Sequence, residues 1–202
     1  KRLRWKVENG KLTIHECKSG LSIQDSLKKT LELLIPEELT TLDKLECDSA
    51  SATLQIEDLT VTELSVDTAS GNVTLKNCHV EKLDVDATSA NLNAESCTLG
   101  EVSVDSAYGS ATLSGSICAV DMGTVSGRLS VETSVTPREV SMDAVSGSCL
   151  LVLPKDAGFT LKQDGVSSKV NVEGFTVSMQ DKTYICGDGA AEISFEGISG
   201  DV

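Results

Sequence analysis

Aromatic residues make up only 3% of this 202-residue chain: one Trp, two Tyr and three Phe. That scarcity argues against a sugar cleft walled by aromatic platforms. Basic residues are also few, 17 against 31 acidic, for a net charge of −14. A nucleic-acid partner is excluded, because it needs a basic footprint to displace counterions. The same deficit disfavours docking on anionic lipid. No apolar run approaches the ~18 residues of a spanning helix; the longest, LELLIP at 31–36, stops at Pro36. The two histidines, His15 and His79, stand far apart, and neither lies in a metal motif such as H-E-x-x-H. P-loop, G-x-S-x-G and dinucleotide fingerprints are missing too. No catalytic residue and no cofactor is expected.

Seven cysteines are present, at 17, 47, 78, 97, 118, 149 and 186, with no C-x-x-C among them. An odd count without paired spacing supports neither a full disulfide framework nor a zinc knuckle.

What the chain does have is repetition. SVDTASGNVTL (65–75) returns as DVDATSANLNA (84–94) and as SVDSAYGSATL (103–113). Anchored on Asp48, Asp67, Asp86 and Asp105 the spacing is 19 each time; Gly123 follows after 18 residues and Asp143 after 20. The pattern then loosens to Asp164 and Gly187, which makes eight coils. Three before the anchor stand Leu45, Leu64, Leu83, Val102, Val120 and Val140, and one before it Cys47, Val66, Val85, Val104, Met122 and Met142. Apolar columns recur six and eight after it, so each segment alternates as a strand with one buried face. Four after the anchor a small-residue corner reads Ala52, Gly71, Ala90, Gly109, Gly127, Gly147, as a sharp bend or positive φ would require.

No N-G or D-G turn joins the regular units, which disfavours hairpin meanders. Leucine-rich repeats would need a helical half, and propeller blades about 40 residues. The pattern predicts an all-β fold: a parallel β-solenoid of about 19 residues per coil, each copy stacked in register on the last. Residues 1–40 are read as an N-terminal cap, with a hairpin at Asn9–Gly10 and a mixed strand-like and helix-like stretch at 23–39. Residues 41–202 form the repeats. The final SGDV restarts the corner phrase and stops, so the array looks cut short, ending on a cap or an edge covered by a partner. End-to-end or edge self-association is a further expectation.

The serial phrases Ile35-Pro36, Ser70-Gly71-Asn72-Val73, Ser126-Gly127-Arg128-Leu129, Ser146-Gly147 and Ser199-Gly200-Asp201-Val202 resemble a bacterial adhesin family of β-strand-repeat domains of unknown function, over roughly 30–202. The resemblance implies an envelope-associated protein behind an N-terminal membrane segment, and it brings no catalytic residues. The chain opens KRLRWKV without methionine, in keeping with a missing upstream anchor. The expected setting is therefore extracellular or at the cell surface, with a protein or glycan partner.

Stacking generates the candidate sites. Asp48, Asp67, Asp86 and Asp105 fall in one file, either fanned into solvent or holding calcium, which needs six to eight oxygens. Lys44, Glu63, Lys82 and Glu101 form a second file of alternating sign, expected to stabilise the register slightly. Cys78 and Cys97 share a column, and parallel side chains there point alongside rather than toward each other, so buried thiols are expected. Tyr108 is the one aromatic in the outward corner column and the candidate surface contact. The function expected is a non-enzymatic scaffold or interaction domain. The alternatives are a carbohydrate-active or calcium-dependent sugar-binding β-helix, and the ectodomain of an envelope-stress regulatory system.

Overall fold

The computed structural model describes residues 3–16, 30–36, 38–39 and 41–201, and the chain divides into two compact units, 1–36 and 37–202. In the first, β1 (Leu3–Glu8) and β2 (Lys11–Glu16) form the expected antiparallel hairpin. Asn9 and Gly10 both take positive φ, 50° and 76°, the type I′ geometry whose twist matches the strands it joins. Cys17 and residues 23–29 of the mixed stretch lie outside the described residues.

In the second unit β3 (Leu42–Glu57), β4 (Thr60–Lys76), β5 (His79–Thr133) and β6 (Glu139–Val152) lie side by side and parallel. Leu45 pairs with Leu64 and Leu64 with Leu83; Asp48 pairs with Asp67 and Asp67 with Asp86. β5 runs on through three rungs, with Gly109 against Ala90 and Gly127 against Gly109. Its last rung carries Met122 and Gly123 onto Met142 and Asp143 of β6. The protein is thus a parallel β-solenoid with about 19 residues per coil, as the columns predict.

Burial follows the columns. Leu64, Leu75, Leu83, Leu99, Leu113, Ile117, Met122, Leu129 and Met142 are almost fully enclosed, and each such side chain contributes about 1.5–3 kcal/mol when taken from water. The structure adds a core file that the apolar columns above leave out. Six before the anchor, Val61 and Val80 pair across rungs and Leu99 and Ile117 continue the line. A second addition is the bend ten after the anchor, where Asp58, Asn77 and Ser96 hold φ near 50–55° and Gly115 takes 134°. Asp, Asn, Ser and Gly reach the left-handed region at least cost. The small-residue corner has a different cause. Only Gly71 there has a left-handed φ; at Gly109 a Cβ would stand 2.0 Å from the Ala90 carbonyl oxygen. Close approach of rungs, more than backbone handedness, asks for glycine.

The far end departs from the simple stack. β7 (Phe159–Lys169) does not lie on β6. Between them sits β10 (Ala191–Asp201), parallel to both, with Phe195 facing Met142 on one side and Gln163 on the other. Six regular coils are therefore followed by two rungs laid in swapped order, rather than by a seventh and an eighth coil in sequence. Glu196, not Gly187, fills the anchor slot, and it stands between Asp143 and Asp164. Gly187 is a turn residue with φ of 59°. Nor is the final corner phrase left hanging, because Ser199 and Gly200 pair with Ser146 and Gly147 and with Ser167 and Ser168. The sheet closes on β8 (Val177–Gln180) and β9 (Thr183–Cys186), an antiparallel hairpin on Phe159–Lys162.

Leu83 is fully enclosed and stacked among equivalent leucines and valines. Leu83→Ala should cost about 2–5 kcal/mol through lost burial and a cavity, while Thr74→Ala on the outward face of the same sheet should stay within ~0.5 kcal/mol. Urea denaturation of both variants checks the inward and outward assignment.

Candidate functional site

Three groupings carry the chemistry that this fold offers. The first is the anchor file. Asp48, Asp67 and Asp86 sit on consecutive rungs in register, and the file ends where Gly123 leaves room beside Asp105, whose carboxylate would lie 2.5 Å from a Cβ there. Burial, then Asp84, Asp67 and Asp105, push the Asp86 carboxyl above the usual range. Among the described residues no group of three or more His, Cys, Asp or Glu side chains is arranged to hold a metal ion. A file of parallel carboxylates presents oxygens from one side only, whereas calcium needs them from several directions.

The second grouping is the alternating file at the bend before the anchor. Lys44 donates to Glu63 at 2.9 Å and also contacts Glu46 at 2.9 Å. Those two carboxylates hold its ammonium well above the ordinary lysine range. Higher in the file Glu101 accepts from Arg138 at 3.1 Å, 37 residues on, rather than from Lys82. Thr62, Glu63, Glu81, Lys82, Glu101 and Arg138, with Cys118, line an open groove there. All of these ion pairs are solvent-exposed, and among the described residues Lys44–Glu63 is the one that joins adjacent rungs of the expected file.

The third is the outward corner. Tyr108 is 57% exposed, as the sequence implies, and it is not alone. Val125 and Val145, two after their anchors on the next two rungs, are 47% and 49% exposed, where the same column lower down carries Ala50, Ala69, Thr88 and Ala107. The signal was present in that column as a change from alanine and threonine to valine. It is easily overlooked beside the repeated serines. Polar ladders flank the strip: Asn91 donates to Asn72 at 3.2 Å, the Ser110 amide donates to Asn91, and Arg128 donates to Ser148 at 3.2 Å.

The cysteines of the described residues are free. Cys78 and Cys97 are buried as expected, at 2% and 1% exposure. Cys47 is half-buried and its thiol is pushed up by burial and then by Asp48; burial raises Cys149 to about 12. Cys118 is exposed.

Because Asp86 titrates higher in the folded chain than in the unfolded one, its charge lowers stability at neutral pH, and that penalty disappears as pH falls through its unfolded value. Asp86→Asn should therefore raise stability at pH 7 by a few tenths of a kcal/mol, less in 0.5 M salt, and not at all at a pH below that value. Thermal melts across pH and salt read this directly. Millimolar calcium should give little heat and no melting shift, and a rise of several degrees would mean that the file binds the ion.

No curated protein and no solved structure matches the chain. One family model does, over residues 2–202, described as Toastrack DUF4097. That description is of a repeat domain of unknown function, carries no enzymatic assignment, and agrees with the solenoid found here. With its whole described length in that match, the chain belongs to the Toastrack family.

Proposed function

We propose that this solenoid is a non-enzymatic interaction domain, a rigid rod that presents a contact strip at the bacterial cell envelope in the manner of an adhesin. The observation that carries the reading is the exposure of Tyr108, Val125 and Val145, each about half exposed, on successive rungs of one corner, the valines one column before the tyrosine. Apolar side chains in contiguous outward positions cost solubility unless a partner covers them, and an aromatic flanked by hydrogen-bonding side chains is the composition of an interface centre. Polar ladders of Asn and Ser beside the strip suit a hydroxyl-rich surface, so an envelope glycan is the partner class favoured over a protein. The acidic surface, at −14, keeps copies apart while the partner is sought.

Envelope glycans arrayed on a surface provide the test. Binding is expected for the intact chain, with a loss of tenfold or more for Tyr108→Ala and for Val125→Ser with Val145→Ser, at unchanged melting temperature. Retention that is indifferent to all three positions, or steady cleavage of an arrayed polysaccharide by the pure chain, would overturn the reading.

A further inference from the structure

Cys78 and Cys97 occupy the column eleven after the anchor, on neighbouring rungs. The Thr98 amide donates to the Cys78 carbonyl at 2.8 Å, which places the two residues one above the other in the parallel stack. Both thiols hang from the same bend, each following a residue with left-handed φ, Asn77 and Ser96. Each donates to the carbonyl two residues before it, Cys78 to Lys76 at 3.2 Å and Cys97 to Glu95 at 3.3 Å. Leu59 fills the slot below, with Ser116 the matching residue above, so this is a single pair of thiols enclosed by the stack. Rungs about 4.8 Å apart fall inside the Cα separation that a disulfide accepts, and the side chains, which point alongside each other in the reduced stack, must turn together at the bend to bond.

We infer that Cys78 and Cys97 form a peroxide-oxidisable dithiol, which closes into a disulfide tying one rung of the solenoid to the next. Cys78 also donates to the Ile56 carbonyl at 3.5 Å, and the two neighbouring thiols pull each other's proton affinity in opposite directions, Cys78 down and Cys97 up. The chemistry balances in two steps with Cys78 as the attacking sulfur and Cys97 as the resolving one. In the first step the Cys78 thiolate attacks hydrogen peroxide; the O–O bond breaks, a sulfenic acid forms and hydroxide leaves. In the second, Cys97 attacks the Cys78 sulfur, the S–O bond breaks, and the leaving oxygen departs as water with the Cys97 proton. Two thiols and one peroxide become one disulfide and two waters. A peroxide is small enough to reach thiols this enclosed through a brief opening of the bend. Exposed Cys118 has no such neighbour in its column and cannot close a rung.

The experiment uses the full chain carrying Cys118→Ser, because no Lys or Arg lies between Lys82 and Arg128 and trypsin leaves Cys97 and Cys118 on one peptide. After a few equivalents of hydrogen peroxide, denaturation and alkylation, mass spectrometry should find peptide 77–82 joined to peptide 83–128, released by dithiothreitol. The oxidised protein should melt roughly 5 °C or more above the reduced one. In Cys97→Ser, dimedone should trap the sulfenic acid at Cys78. The wild-type melting comparison does not depend on that variant folding. Full alkylation of both thiols after peroxide, linkage to any other cysteine, or over-oxidation of Cys78 without a bond to Cys97 would overturn the assignment.

Discussion

Residues in the regular coils of this protein are stacked on their own copies. In a parallel, in-register ladder a side chain meets the equivalent side chain of the rungs above and below, about 4.8 Å away. The rule acts differently on different chemistry. Leucine on leucine is a continuous core, so Leu45, Leu64 and Leu83 repeat without penalty. Asparagine on asparagine is a hydrogen-bond ladder, as at Asn72 and Asn91. Aspartate on aspartate is repulsion, tolerated because the file faces solvent and relieved at Gly123. Opposite charges gain a little, and Lys44 on Glu63 shows it.

The same rule decides what could be read from the sequence. Period, direction, register and the main core files were legible, because each is a property of columns and the columns repeat. The left-handed bend was written there as well, in Asp58, Asn77, Ser96 and Gly115. The glycines four after the anchor are the louder turn signal and mask it, although they mark close approach instead. The swapped rung was not legible in order, although it was in register. SFEGISGD (194–201) carries the same phrase as SMDAVSGS (141–148), so its column is plain, and it pairs there residue for residue. Which slot it fills depends on β7 having skipped one, and no local pattern in 153–158 says so. Register is a local property of the phrase; rung order is set by a vacancy 53 residues away.

The inserted strand also explains how the array stops. A parallel stack that simply ended would offer a long row of unpaired amides and carbonyls. Instead the chain lays β7 one rung out, turns back through β8 and β9, and returns to fill the gap. Phe159–Lys162 is then covered by an antiparallel partner, and at this end only the four residues of β8 and the remainder of β7 are left as edge. Phe195 is sealed at 1% exposure between the two neighbours that the swap provides. Cooperation between segments distant in sequence replaces the nearest-neighbour logic of the regular coils.

Function on such a scaffold must be sought where neighbouring rungs differ. A position that repeats is already explained by stacking, whether it is a buried leucine or an outward aspartate, and it needs no ligand to account for it. A position that breaks its column gains nothing from the stack. Tyr108 among serines, and Val125 and Val145 above alanines and a threonine, are such breaks. They fall on consecutive rungs of one corner rather than at random. Cys78 and Cys97 are the converse case: a repeat of only two, flanked in its column by Leu59 and Ser116, two thiols that only the fold makes neighbours. In both places the physical argument runs the same way. The stack supplies proximity at no extra cost, and what the chain does depends on which few side chains use it.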